Sequence, residues 1–233
     1  MKLMSYNIFH CENYLEHRLD ISQYAEYILR QSPDICALNE VRGAGDLVGY
    51  SDQTAQLAAR TGYFGYFGEA IKVKGKAPYG NALLSRLELE GVELVKIPDP
   101  PRLLEGCYET RAIIKAIANI EGRRIMLLHT HMGLMEAERE NAVGEIIRLA
   151  EQTSLPIILT GDFNDEPNSL ILSPLYDIFE DAEKNTGRPT FTYSSVEPQK
   201  KIDYILYRGL ECRSFAVLDV VLSDHYPIIA EFE

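Results

Sequence analysis

No stretch of this chain approaches the roughly 18 to 20 consecutive apolar residues that cross a bilayer. Its start, MKLMSYNIFHCENY, lacks both the apolar core and the small-residue cleavage site of a secretory signal. A cytoplasmic protein is the expectation, although a leader removed in maturation leaves the same sequence. Basic residues are scarce too: 23 Lys and Arg stand against 35 Asp and Glu, a net charge of −12. Nonspecific grip on long nucleic acid favours the opposite balance, because cations must replace the counterions of the phosphates. A local basic groove or a bound cation still admits a nuclease. The cysteines at 11, 36, 107 and 212 are far apart with no CxxC pair, so neither a zinc ribbon nor a disulfide framework is signalled. Cys36, inside an apolar run, reads as a small buried hydrophobe. No repeat, low-complexity block or Pro/Ser-rich linker divides the chain, and residues 1–233 read as one domain.

What is present alternates between two periodicities. KLMSYNI, DICALNEV, AIIKAIANI, RRIMLLHTH, LPIILTGDF, KIDYILY, SFAVLDVVL and HYPIIAEFE are short and rich in Ile, Val, Leu and Tyr, as strands are. Residues 20–30 carry Ile21, Tyr24, Ile28 and Leu29 at helical spacing, with Asp20 as N-cap and Pro33 as a stop. Residues 52–61, ended by Gly62, and 135–152, with Val143, Ile146, Ile147 and Ala150 on one stripe, predict two more helices. Segments 96–106 and 185–201 read as loops from their Pro, Gly and polar content. Several connections in the second half are too short for a crossover helix. Antiparallel or mixed sheets with helices outside, an α/β or α+β sandwich, are therefore expected.

The polar residues fall at strand ends. Asn7 follows KLMSY, Glu40 follows DICALN, and His131 closes RRIMLLHTH. Asp162 and Asn164 follow LPIILTG, Asp203 heads KIDYILY, and Asp224 with His225 follows VVLS. These are the side chains of metal ligands and proton carriers. Carboxylate and amide oxygens suit a hard cation such as Mg²⁺. A histidine beside an aspartate suits proton transfer, since the carboxylate fixes the tautomer and stabilises the imidazolium. Together they point to metal-assisted hydrolysis of a phosphate ester.

In this order, SYNI, NEV, HTHMGL, TGDFNDEP, KIDYIL and LSDHYP resemble the endonuclease/exonuclease/phosphatase superfamily. That group includes DNase I-like nucleases, abasic-site endonucleases, neutral sphingomyelinases, inositol polyphosphate 5-phosphatases and deadenylases. The resemblance implies a four-layer sandwich, with two central mixed or antiparallel sheets flanked by helices and the site at one edge. It implies that Glu40 is the principal Mg²⁺ (or Mn²⁺) ligand, with Asn7 beside it and Asp224 adding an oxygen on the metal or histidine side. By the same resemblance Asp162 aligns or deprotonates the attacking water, and Asn164 contacts phosphate or metal. Asp203 orients His225 at the scissile phosphate, and His131 is a second catalytic histidine. Arg111 and Asn81 match polar positions near the phosphate. Phe9 stands where abasic-site enzymes carry an aspartate, which argues against that branch. Tyr6 replaces the tryptophan that precedes the first Asn in one branch, for the chain has no tryptophan at all.

Blander readings accompany these. Asp162 to Glu166 is also ordinary turn chemistry. Asp162 and Asn164, two apart on an extended stretch, are expected to face one side, with Asp165 and Glu166 forming the turn that leaves. His129 and His131 form an HxH pair on one strand face, which would serve a zinc hydrolase; with Gly133 and Leu134 following, His129 reads as structural. His10 and His17 read as surface residues. Tyr63, Tyr66, Tyr79 and Tyr108 form either an aromatic wall or sheet packing. The expected substrate is a small, lipid or nucleotide phosphoester, with nucleic-acid ends as the alternative and no protein partner implied. A non-catalytic binding module with this fold is the reading from another class.

Overall fold

The computed structural model describes residues 1–101, 106 and 108–233. Cys107 and part of the 96–106 segment lie outside the described residues. Among these residues the strands form two six-stranded mixed sheets. The first runs β13 (Cys212–Val217), β14 (Ile228–Phe232), β1 (Lys2–Asn7), β4 (Ile35–Arg42), β6 (Ala77–Ser85) and β5 (Phe64–Val73). The second runs β11 (Glu180–Asp181), β12 (Asp203–Arg208), β10 (Ile157–Asp162), β9 (Arg123–His131), β8 (Ala112–Ile120) and β7 (Glu90–Lys96). A two-stranded ribbon, β2 (Glu12–Asn13) and β3 (Arg18–Leu19), stands apart. β1 pairs β4 and β9 pairs β10 in parallel; the other pairings are antiparallel.

Period-two alternation sorts each strand's side chains between two cores. Leu3, Ile35, Ala37, Leu83, Ile114, Leu127, Ile158 and Ile205 from both sheets meet in a central core. Their neighbours Met4, Cys36 and Leu84 face outward against α1 (Ile21–Gln31) and α2 (Gln53–Thr61). On the opposite outer face Met126, Leu128 and Leu159 pack on α3 (Glu136–Glu151) and α4 (Ser173–Tyr176). The result is the helix–sheet–sheet–helix sandwich. Asp20 caps α1 by accepting from the Gln23 amide, and Asp52 caps α2 through the Ala55 amide. Gly62 ends α2 in the left-handed conformation (φ 73°). Among the described residues no helix is long and apolar enough to cross a membrane.

Apart from the two-residue strands β2, β3 and β11, three strands were not legible from periodicity: β5, β6 and β7. β5 and β7 are sheet edges with much exposed surface, and β6 is interrupted by Pro78 and Gly80. SFAVLDVVL is only partly strand; beyond Val217 its apolar residues leave the sheet, and Leu218, Val220 and Leu222 join the α1 side of the core. The 185–201 loop is fastened by Lys201, whose Nζ is 2.5 Å from Asp181 and 2.8 Å from Glu183, all largely buried.

Candidate active site

The central-core face of each strand changes character at one end. The alternation that buries Leu3, Ile35, Leu127, Ile158 and Ile205 continues into Asn7, Asn39, His129 and His131, Asp162 and Asp203. All of these are buried. The hydrophobic seam between the sheets thus ends in a polar seam.

Glu40 reaches this site by a different device. It is not at a strand end: β4 continues to Arg42, with a register shift between Leu38 and Val41. Glu40 is the extra residue of that bulge and adopts φ 61°, uncommon for a residue with a side chain. Bulges re-aim side chains beside active sites. Here the carboxylate accepts from Tyr79 Oη at 2.9 Å and from Asn7 Nδ2 at 3.1 Å.

The same Asn7 Nδ2 lies 3.0 Å from Asp162 Oδ2, so one neutral amide bridges both carboxylates. Asn7 Oδ1 accepts from the Phe9 amide at 3.2 Å, and its Nδ2 steadies Glu40. His225 Nδ1 is 2.8 Å from Asp203 Oδ2, and its Nε2 is 3.6 Å from Asp162 Oδ2. The Tyr193 ring lies 4.9 Å from the His225 ring. Burial works against a charge on His225, but Asp203 and Asp162 outweigh it and raise its pKa to about 10. Asp162 is pushed up to about 7, first by burial and then by the Asp203 charge. His131 lies 3.4 Å from Asp162 and is driven well below the ordinary imidazole value by burial, then by Arg111 and His225. Two histidines in one site are therefore shifted in opposite directions.

Asn164 departs from expectation. It is not extended: its φ is 52°, and its backbone amide turns back to Asp162 Oδ1 at 2.9 Å. That turn brings its Nδ2 to 2.9 Å from His131 Nε2 and 3.0 Å from the Met132 carbonyl. Asp165 and Glu166 do leave the site; Asp165 pairs with Arg139 and accepts from Ser169. The LTGD spacing has its own cause. A Cβ at Gly161 would overlap the Thr130 carbonyl oxygen, and Gly161 adopts φ 143°, so only glycine lets β10 lie against β9 there.

Glu40, His131, Asp162, Asn164 and His225 line a pocket of about 510 Å³ together with Arg111, Asp224, Tyr79 and Tyr193. Glu40 takes its hydrogen bonds from neutral donors, and Asp224 accepts from the Ser223 hydroxyl. Two carboxylates served by neutral donors fit a hard divalent cation. Asp162, Asp203 and His225 also bring ligand atoms within 4.8 Å of one another. Of that trio, Asp203 and His225 are already bonded to each other, the arrangement of a proton-holding pair. Arg111 lines the pocket and pairs with Glu109 at 3.0 Å. Asn81 does not line this pocket; it is buried behind it, accepting from Asn39 Nδ2 at 2.9 Å. His129 is fully buried between the Leu38 and Thr160 carbonyls, a structural placement. His10 is half-buried and pairs with Glu12 at 3.3 Å rather than standing free.

Sequence reasoning assigned no site role to Lys200 or Tyr193, which line the pocket from the loop before β12. It left Tyr79 between wall and packing. Tyr63 donates to the Pro33 carbonyl and Tyr66 accepts from the Leu89 amide, whereas Tyr79 donates to Glu40. Its position two residues before Asn81 was the available signal.

Comparison with known proteins bears on the fold and the family. The chain matches the model of the Endonuclease/Exonuclease/phosphatase family over residues 4–225. A solved endonuclease/exonuclease/phosphatase from Beutenbergia cavernae is 21% identical with a TM-score of 0.82, over 100% of this chain and 71% of that one. A mannosyl-6-phosphatase from Bacteroides thetaiotaomicron is 16% identical with a TM-score of 0.81, over 100% and 99%. The catalytic domain of human Nocturnin with bound sulfate is 21% identical with a TM-score of 0.75, over 100% and 94%. At these identities the likeness is one of fold. No match was found among curated proteins. With its sandwich and the family match over nearly its whole length, this chain belongs to the endonuclease/exonuclease/phosphatase family.

Proposed function

We propose that this protein is a divalent-metal-dependent phosphoesterase that directs water in line at a phosphoryl centre. The observation that carries the reading is Asp162, flanked by His225 at 3.6 Å and His131 at 3.4 Å and joined to Glu40 through Asn7. Glu40 and Asp224 are the residues that would hold Mg²⁺ or Mn²⁺. When bound, such a cation supplies charge neutralisation at the phosphoryl oxygens. Asp162, raised to about 7, is suited to accept a proton from water near neutrality. Asn164 fixes one oxygen of Asp162 and so sets where the other points. Cationic His225, held by Asp203, steadies negative charge growing on the phosphoryl group. Neutral His131 faces the same pocket and serves proton exchange with the leaving oxygen. Arg111 supplies a fixed cation to the phosphate.

A net charge of −12 and a compact pocket support a small phosphomonoester or phosphodiester, such as a sugar, nucleotide or lipid-headgroup ester. That one fold neighbour is a mannosyl-6-phosphatase agrees with this preference. Two cations on the pocket wall, Arg111 and Lys200, keep the ends of single-stranded nucleic acid as the second reading. The test is hydrolysis of bis(p-nitrophenyl) phosphate with Mg²⁺ or Mn²⁺. Asp162→Ala and His225→Ala should each abolish turnover in folded protein, and EDTA should stop the wild type reversibly. Turnover unchanged in both variants would sink the proposal.

A further inference from the structure

Asn39 is fully buried beside Glu40 and hydrogen-bonds across the two sheets behind the pocket. Its Oδ1 accepts from the Asp162 backbone amide at 3.0 Å. Its Nδ2 donates to the Thr130 carbonyl at 3.0 Å and to Asn81 Oδ1 at 2.9 Å, and lies 3.3 Å from His129 Nε2. Glu40 and Asp162 stand on different sheets, so nothing in either strand's own geometry sets the distance between their carboxylates. Apart from Asn7 to Asp162 and His129 to the Leu38 carbonyl, the layers here meet mainly through apolar packing, which is non-directional and tolerates small sliding. A hydrogen-bonded amide does not. The side chain of Asn39 fixes the Asp162 backbone, while its own backbone continues directly into the Glu40 bulge.

We infer that Asn39 is a positioning residue: an amide strut that sets the spacing of Glu40 and Asp162 across the two sheets. This rests on the proposed phosphoesterase reading for its catalytic consequence, but not for its structural one. A misplacement of about 1 Å at a reacting group costs on the order of 10²-fold in rate.

The test compares Asn39→Ala with Thr160→Val. The latter removes a different buried hydrogen bond, Thr160 Oγ1 to the Tyr204 carbonyl, in the same strand without touching the pocket. In Asn39→Ala, kcat on bis(p-nitrophenyl) phosphate should fall on the order of 10²-fold with KM changed less than about threefold. The Asp162 amide should exchange its hydrogen about tenfold faster than in the wild type. Thr160→Val should lose thermal stability but keep kcat and Asp162 exchange. Should Asn39→Ala not fold, Asn39→Ser carries the same expectation, because its hydroxyl is too short to reach Asp162. If the Asn39 variant tracks Thr160→Val in both readouts, the strut is overturned. If the wild type hydrolyses no phosphoester at all, the proposed function fails, and amide exchange alone judges the strut.

Discussion

Asp203 Oδ2 lies 2.8 Å from Nδ1 of His225, with both side chains almost wholly removed from water. The second Asp203 oxygen, Oδ1, is buried with no hydrogen-bond partner among the described residues, so the carboxylate's attachment to the site runs through the imidazole. Such a pair holds the proton on His225 and fixes the ring, leaving Nε2 turned toward Asp162.

Asp203→Asn should therefore move the alkaline limb of activity. His225 is raised to about 10 from the ordinary 6.5, so its protonated form persists through neutrality in the wild type and is lost as pH rises through about 10. Without the Asp203 charge that loss should begin closer to 6.5, and kcat at pH 8 should drop by roughly 10- to 30-fold as the protonated fraction falls. A pH–rate profile of both proteins reads the shift. An unmoved alkaline limb would remove Asp203 from the role.

Tyr79→Phe deletes one hydroxyl that donates to Glu40 and leaves the ring in place. Groups that orient a metal-binding carboxylate typically contribute about 10- to 100-fold to metal affinity. Calorimetric titration with Mn²⁺ should show a loss in that range, with stability changed by only about 1 kcal/mol. Equal affinity in the two proteins would leave Tyr79 as a packing residue.

Gly161→Ala should destabilise the protein by about 2 to 4 kcal/mol, because the added Cβ overlaps the Thr130 carbonyl and the backbone is strained for an L-residue. Urea unfolding measures it. A variant as stable as the wild type would show that β10 and β9 can separate at no cost.

His129 links pH to stability. Burial lowers its pKa from 6.5 to about 4, so the folded state keeps it neutral while the unfolded chain takes up a proton. The sign follows: stability is full above 6.5 and falls as pH drops toward about 4, by roughly 3 kcal/mol from this residue. Urea midpoints of the wild type and His129→Gln, taken from pH 7 down to 4.5, should converge as the pH is lowered. Parallel curves would rule the linkage out.

Most of the polar seam could be read along the chain. Asn7, His131, Asp162 and Asp203 sit on the same two-residue alternation that buries Leu3, Leu127, Ile158 and Ile205, so their shared facing is a property of strand geometry alone. Helix limits were legible for a similar reason, since Asp20, Asp52 and Gly62 act on groups within one turn. What the alternation alone could not place breaks the repeat. Glu40 enters through a bulge, Asn164 through a left-handed turn, and Tyr79 lies on a strand whose pattern Pro78 and Gly80 conceal.

By itself the sequence determined which side chains were available and which face of each strand they occupy, because propensity and alternation act between near neighbours. It determined the acidic balance and the family resemblance as well. Only the tertiary structure decided how those groups meet: that Asn7 bridges Glu40 and Asp162, that Asn39 ties one sheet to the other, and that the Asp203–His225 pair implied by the resemblance is a buried 2.8 Å contact. These contacts join residues 22 to 155 positions apart, and their distances depend on how two sheets pack and on burial that opposes charge on His131 while Asp203 holds it on His225. No local rule along the chain carries that information.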